Sequence, residues 1–482
     1  MRQTPDQEKA VANPYNGLVA ESSELDRASA HAGPYDHLAA HAAGKSAVIE
    51  PASSATAVGQ DSTELLAAIS QGFILEAHGD AQGAEAAYRV AADSGHPDHA
   101  PRAAFNLGRL LEGQGDVEGA RVAYEAAIAS RHPDQAPRAA FNLGVLFANQ
   151  GDVEGAEAAY QMAMDSSHPD QAPGAAFNLG VLLADEGDLE GAEAAYRQAI
   201  DSAHPHRAPE AAANLGVLLA VQGDADGAEA ELRRAIASDA EEAAPLAAVN
   251  LGFLLEDNGD VQGAREQFQA VIASGHPHQA PRAAFHLGGL LDDHGDVEGA
   301  EAAYRWAIES HHPHQAPRSA FNLGFLLAGC GDVDGAKAAY RRAIDSGHPH
   351  HAPEAAVNLG VLLAGQGDLD GAQAAYRTAI ESGHEDARWL ARRNLGLLLA
   401  GQGNVEVAEA ELRRAILSGH PRHAPEAAVN LGVLLAGRGE VEGAKAEFQR
   451  AILLGDQGVA SLAARNLDAL PERRGRIETL AG

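Results

Sequence analysis

The chain has 482 residues, 45% of them hydrophobic and only 5% aromatic, with 52 glycines and a formal net charge of −33. So acidic a field repels phosphate backbones and anionic lipid, which argues against nucleic acid or a membrane surface as partner. Cys330 is the single cysteine, so no intrachain disulfide framework is possible, and no run of about 18 apolar residues offers a membrane span.

Residues 1–60 carry no helical period. Stretches such as His31-Ala32-Gly33-Pro34 and Pro51-Ala52-Ser53-Ser54 read as a mostly disordered arm, without the apolar core of a signal peptide. A cytoplasmic location is expected. From residue 61 a unit of 36 residues begins, first in degraded form, with Ser70-Gln71-Gly72 where later copies have Asn-Leu-Gly. The asparagine then returns without slippage at Asn106, Asn142, Asn178, Asn214, Asn250, Asn322, Asn358, Asn394, Asn430 and Asn466, with His286 in the one departing slot. Ten full copies and a half-copy carry the repeat region to residue 470, and 471–482 form a tail. A strict period of this length means stacked copies of one small unit that bury a continuous core between neighbours.

Within one copy, Pro101 sits in the first turn of a helix, and Phe105, Leu107, Leu110 and Leu111 give an apolar stripe at helical spacing. Gly115-Asp116 ends this helix and starts the next, glycine as left-handed C-cap and aspartate as N-cap. Val117, Ala120, Tyr124, Ala127 and Ile128 form the inner face of the second helix. Gly108 and Ala120 are small where the two helices would cross. Each copy is a helical hairpin, so the fold is all-α.

Leu107-Gly108, Leu111, Ala120, Tyr124 and Pro133 resemble the tetratricopeptide repeat (TPR) pattern, and the resemblance recurs over residues 61–470. Alanine (Ala104, Ala140) stands where that family has a large aromatic, and each copy is two residues longer than the family's usual 34. The period is also similar to that of Sel1-like repeats, although the short Gly-x-Gly-Asp turn favours TPR. The resemblance implies a right-handed superhelical solenoid of helix-turn-helix repeats, first helices lining its concave side.

On such a hairpin the asparagine slot faces the groove. An amide both donates and accepts, so it can pair with a peptide's backbone. With packed helices about 8–10 Å apart and an extended strand advancing about 3.3 Å per residue, one asparagine would meet roughly every third residue. The resemblance implies such a ladder through Asn106, Asn142, Asn178, Asn214, Asn250, Asn322, Asn358, Asn394 and Asn430, with His286 in its series. The alternative is that asparagine only satisfies its neighbours' backbone. Arg102, Arg138, Arg282 and Arg318 hold a second groove slot, and Arg393 a further one, where they could pair with ligand carboxylates. Val145, Val181, Val217, Phe253, Phe325 and Val361 follow the glycine and would line the groove or fill the inter-repeat core. Phe105, Phe141 and Phe177 are expected in the core.

His96, His132, His168, His204, His276, His312, His348, His384 and His420 share one loop slot, and some loops read His-Pro-His. A zinc site needs ligands converging at about 2.1 Å on one metal, which a ladder spaced by whole repeats does not provide. These residues are expected to pack beside a helix C-terminus, with no metal and no cofactor. No phosphate loop, nucleophile elbow or convergent metal motif is present, so no enzyme is expected. The reading is a scaffold that binds an extended peptide or partner protein in its groove, or else an assembly protein that self-associates through convex or terminal surfaces.

Overall fold

In a computed structural model of the protein, residues 62–470 are described; the arm at 1–60 and the tail at 471–482 lie outside them. The described residues form 23 helices and no strand. They fall into two compact units that divide between Asp260 and Val261.

The first unit contains α1 (Ser62–Ala77), α2 (Ala81–Ala92), α3 (His99–Gly113), α4 (Val117–Ala129), α5 (Gln135–Gln150), α6 (Val153–Asp165), α7 (Gln171–Asp185), α8 (Leu189–Asp201), α9 (Arg207–Gln222), α10 (Ala225–Ala237) and α11 (Ala243–Asp257). The second contains α12 (Val261–Ser274), α13 (Gln279–Asp293), α14 (Val297–Glu309), α15 (Gln315–Gly329), α16 (Val333–Asp345), α17 (His351–Gly365), α18 (Leu369–Glu381), α19 (Glu385–Gly401), α20 (Val405–Leu417), α21 (His423–Gly437), α22 (Val441–Leu454) and α23 (Gln457–Asp468). Odd-numbered helices are the first helices of the repeats and even-numbered ones the second. No helix among the described residues is long and apolar enough to cross a membrane.

The turn inside most repeats follows from two residues; Asn404 and Glu440, which replace the second, make no cap bond. Gly115 adopts φ 78°, a left-handed conformation that costs an L side chain. Its N–H bonds the Glu112 carbonyl at 2.9 Å, closing α3. Asp116 then accepts from the Gly119 N–H at 3.0 Å and caps α4. This cap lies so close that a Cβ on Gly119 would stand 2.3 Å from Asp116 Oδ2, which explains the recurring Gly-Asp-x-x-Gly.

The core is built of alanine and, in most repeats, one large ring on the second helix; Leu232 and Leu412 take its place in α10 and α20. Ala103, Ala120 and Ala127 are fully buried, as is Tyr124, and Leu111 is 3% exposed. Burying a side chain of tyrosine or leucine size contributes about 1.5–3 kcal/mol, so one large side chain per hairpin anchors each copy. The space at Gly108 is taken by that ring rather than by Ala120: a Cβ there would lie 2.5 Å from Tyr124 Cδ1 and Cε1. Phe105 and Phe177 are buried, while Phe141 is half-buried. On the outer face the expected ion pairs form at Glu193–Arg197 (2.7 Å), Glu229–Arg233 (2.8 Å), Glu301–Arg305 (2.6 Å) and Glu409–Arg413 (2.6 Å). Such exposed pairs contribute little beyond solubility.

Candidate functional site

The asparagines lie on first helices, two residues before the recurring glycine, and their environments differ. Asn106 and Asn250 are 5% and 2% exposed, so a ligand cannot reach them without rearrangement. Asn142, Asn178, Asn214, Asn322, Asn358, Asn394 and Asn430 are half-buried. Several are drawn to the tyrosine of the preceding repeat. Asn142 Nδ2 donates to Tyr124 Oη at 3.4 Å and Asn322 Nδ2 to Tyr304 Oη at 3.5 Å, both long bonds. Asn358 stands in the same relation to Tyr340, where burial pushes the phenol up to about 12 and the amide's donation offsets part of that rise. Tyr124 in turn donates to Glu112 Oε2 at 2.6 Å. Several of the amides therefore have neighbours within the fold, Asn142 and Asn322 through long bonds and Asn394 through Arg393. Asn142 lines a hollow of about 280 Å³ with Glu76, Arg109, Leu110, Phe141 and Val145.

The residue three positions after each asparagine shares its helix face. In the first unit Val145 and Val181 are half-buried and Val217 is buried at 7%. In the second unit the slot opens: Phe325 is 66% exposed, Val361 52%, Leu397 46% and Val433 53%. Four large apolar side chains thus recur in register beside Asn322, Asn358, Asn394 and Asn430. Such a recurrence differs from the singly scattered apolar residues that are ordinary on protein surfaces.

The arginines are not equivalent. Arg138 lies 5.3 Å over the Phe105 ring and 3.8 Å from Asp134. Arg318 stacks 4.1 Å over Phe285, and Arg102 is exposed. No carboxylate is hydrogen-bonded to Arg102 or Arg318 among the described residues. Arg393 differs from the expectation of an open groove position. It is paired with Glu426 of the following repeat and also bonds Asn394 Oδ1 at 3.3 and 3.2 Å, so its charge is already met within the fold. Arg282 stands one turn before His286. The ring of His286 stacks on Phe268 at 6.3 Å and meets the edge of Phe285 at 5.1 Å. Burial, helped by Arg282 and Arg318, holds it down to about 3, so it is a neutral side chain at physiological pH.

The loop histidines have a function that the sequence reading placed at the wrong helix end. His96 Nδ1 accepts from the backbone N–H groups of Asp98 (3.2 Å) and His99 (3.3 Å), while its carbonyl accepts from Ala100 at 3.0 Å. It thereby caps the turn at Pro97-Asp98 that leads into the following helix at His99, satisfying N–H groups that the helix itself leaves open. The same pair of bonds recurs at His132, His168, His204, His276, His312, His348 and His420, and His384 makes one of them, to Ala387 at 3.3 Å. The preceding helix is closed by the serine two residues earlier: Ser94 Oγ donates to the Ala91 carbonyl at 2.7 Å and accepts from the His96 N–H at 3.2 Å.

A backbone N–H can only donate, so each capping Nδ1 carries a lone pair and the ring's proton sits on Nε2. This bears on Asp386, His420 and His423, whose ligand atoms lie within 4.8 Å of one another. His420 Nε2 meets Asp386 Oδ1 at 2.8 Å while its Nδ1 caps α21. A metal on Nε2 would need the lone pair there, and the cap would be lost. The set suits a cap held by a carboxylate better than a metal cradle.

The sequence model described as Tetratricopeptide repeat matches residues 69–136, 105–176, 167–207, 177–245, 249–320, 290–347, 321–387, 357–422 and 393–460. No curated protein matches the chain. Among solved structures, yeast Tom70 is similar with a TM-score of 0.35 and 14% identity, over 85% of this chain and 96% of that one. The Pseudomonas aeruginosa protein pilF gives 0.36 and 20%, over 46% and 96%. A protective antigen of uropathogenic Escherichia coli, c5321, which displays an SLR fold, gives 0.41 and 20%, over 84% and 87%.

Proposed function

The chain belongs to the tetratricopeptide repeat family, and from that premise we propose that it binds an extended segment of a partner protein across its first helices. Protein-interaction scaffolding is the role its repeats support. The finer reading is that peptide backbone pairs with the half-buried asparagines while apolar side chains of the peptide rest on the row beside them. The observation that carries it is the register of Phe325, Val361, Leu397 and Val433, exposed by 46–66%, each three residues after an asparagine. Arg102 and Arg318 suit acidic side chains of the same partner. Asn106 and Asn250, being buried, belong to packing rather than to the ladder.

The test compares wild type with the triple variant N322A/N358A/N430A in affinity capture from the native host. A net hydrogen bond contributes about 1 kcal/mol, so three lost contacts weaken binding by about 3 kcal/mol, roughly 150-fold. Helix content stays intact, because the bond from Asn322 to Tyr304 is long at 3.5 Å. Undiminished capture by the triple variant overturns the ladder.

A second reading has its own observation. Leu417, Leu453 and Leu454 are 80%, 82% and 58% exposed at the C-terminal ends of α20 and α22, which favours self-association there. It expects light scattering to show a mass that rises with concentration, and L453E to abolish that rise. A mass constant with concentration removes it.

A further inference from the structure

The capping histidines differ in what stands beside their Nε2–H groups. In the first unit it is a carboxylate from the preceding loop: Asp98 lies 3.8 Å from His132 Nε2, and Asp134 lies 3.3 Å from His168 Nε2. These two histidines cap α5 and α7. At three loops of the second unit the aspartate's place is taken by another histidine, whereas His420 keeps a carboxylate, Asp386, at 2.8 Å. The ring of His278 meets that of His312 edge-on at 5.9 Å, His314 meets His348 at 6.0 Å, and His350 meets His384 at 5.4 Å. Within loops the rings continue the row, His312 to His314 at 6.1 Å and His348 to His350 at 6.0 Å. His312, His348 and His384 cap α15, α17 and α19, whereas His278, His314 and His350 are exposed.

Two consequences follow from where protons can go. A capping ring that takes up a second proton must take it on Nδ1, which ends its bonds to the helix and sets a cation at a helix N-terminus. In α5 and α7 the carboxylate beside Nε2 offsets this by attracting the imidazolium. In α15, α17 and α19 the neighbour is itself basic. At His350 the conflict is direct, since His350 Nδ1 lies 3.3 Å from His384 Nε2 and the capping role of His384 leaves its proton on Nε2. Protonating His350 on Nδ1 would turn two N–H groups towards each other. Of the other groups on the row, His351 stacks on His348 at 4.8 Å, and Glu354 on α17 lies 3.4 Å from His351 Nδ1. Burial and then His351, His314 and His350 hold His348 below the usual histidine range against the opposing pull of Glu354.

We propose that the histidine row from His278 to His384 is an acid-responsive element that loosens the first turns of α15, α17 and α19 while leaving those of α5 and α7 in place. It requires no ligand and is independent of the peptide-binding reading. Mild acid changes the loop edge at α15, α17 and α19, and an aspartate in place of the paired histidine is what protects α5 and α7.

Amide hydrogen exchange on the full chain at pH 7.5 and 5.5, corrected for intrinsic rates, tests it. The opening equilibrium of the first turns of α15, α17 and α19 should rise at pH 5.5 by roughly fivefold, the factor that loss of one helix cap brings. Those of α5 and α7 should rise less. The variant H278D/H314D/H350D puts the first unit's carboxylate in place and should bring the two sets together. H278N/H314N/H350N, which cannot ionise, should also reduce the response, and it keeps the test open should the aspartates disturb folding. An equal acid response of both sets in wild type overturns the proposal. So does an undiminished response in either folded variant.

Discussion

Replacing Gly324 by alanine tests the packing that sets the hairpin. Gly324 faces Tyr340, and an added Cβ would stand 2.6 Å from Cδ1 and Cε1 and 3.0 Å from Cγ. Carbon atoms settle at about 3.5–4.0 Å, so the ring must retreat by about 1 Å. Tyr340 is only 2% exposed and has no free space in which to do so. Overpacking of this kind costs about 1–3 kcal/mol, from which the better helix propensity of alanine returns about 0.5–1 kcal/mol. The expected net loss is about 0.5–2 kcal/mol, concentrated in α15 and α16. Gly365, the last residue of α17, is the control, since nothing lies within 4 Å of a Cβ there. G365A should gain up to about 1 kcal/mol by restricting the unfolded chain. Urea titration followed by circular dichroism, with hydrogen exchange to localise the change, measures both. If G324A matches wild type, or if G365A is equally damaging, the ring does not set the approach of the two helices.

Two further outcomes follow from the loops and from the irregular repeat. Ala203 is held at φ 53°, which costs an L residue about 1–2 kcal/mol, so A203G should raise stability by up to about 1 kcal/mol after the entropy of glycine is counted; a lower urea midpoint contradicts this. His286 is held neutral down to about 3 in the folded chain, against about 6.5 when unfolded. Because the folded value is the lower one, its contribution to stability is complete above about pH 6.5 and declines as pH falls from there towards the folded value. At pH 5 the loss is about 2 kcal/mol at most, and H286N should be spared it. Urea midpoints at pH 7.5 and 5.0 check this, and an equal acid loss in both proteins refutes it.

The turns were readable in the sequence because glycine and aspartate act there through their own backbone: Gly115 supplies the left-handed residue and Asp116 the cap, both within four residues of their partners. The repeat period and the hairpin were legible for the same local reason. The histidine caps were not. Histidine is an uncommon cap, and its Nδ1 presents a lone pair to the N–H groups two and three residues on, as an aspartate would, which only the loop geometry reveals. The site was half legible. Its slots followed from helical spacing, but Asn250 is buried while Asn322 is not, and Val217 is covered while Val361 is open. Those differences depend on how far neighbouring helices extend over a slot. Arg393 shows the same limit, since its partner Glu426 lies 33 residues away on another repeat.

Photo-crosslinking in the native host tests the central claim most directly. Benzoylphenylalanine is placed either at Val361, in the exposed apolar row of α17, or at Thr378, on the exposed face of the second helix α18. The account predicts that position 361 captures a partner protein through a short segment of its chain, that N322A/N358A/N430A abolishes this capture, and that position 378 captures nothing specific. Specific capture from 378 with none from 361 would place the binding surface on the second helices and contradict it.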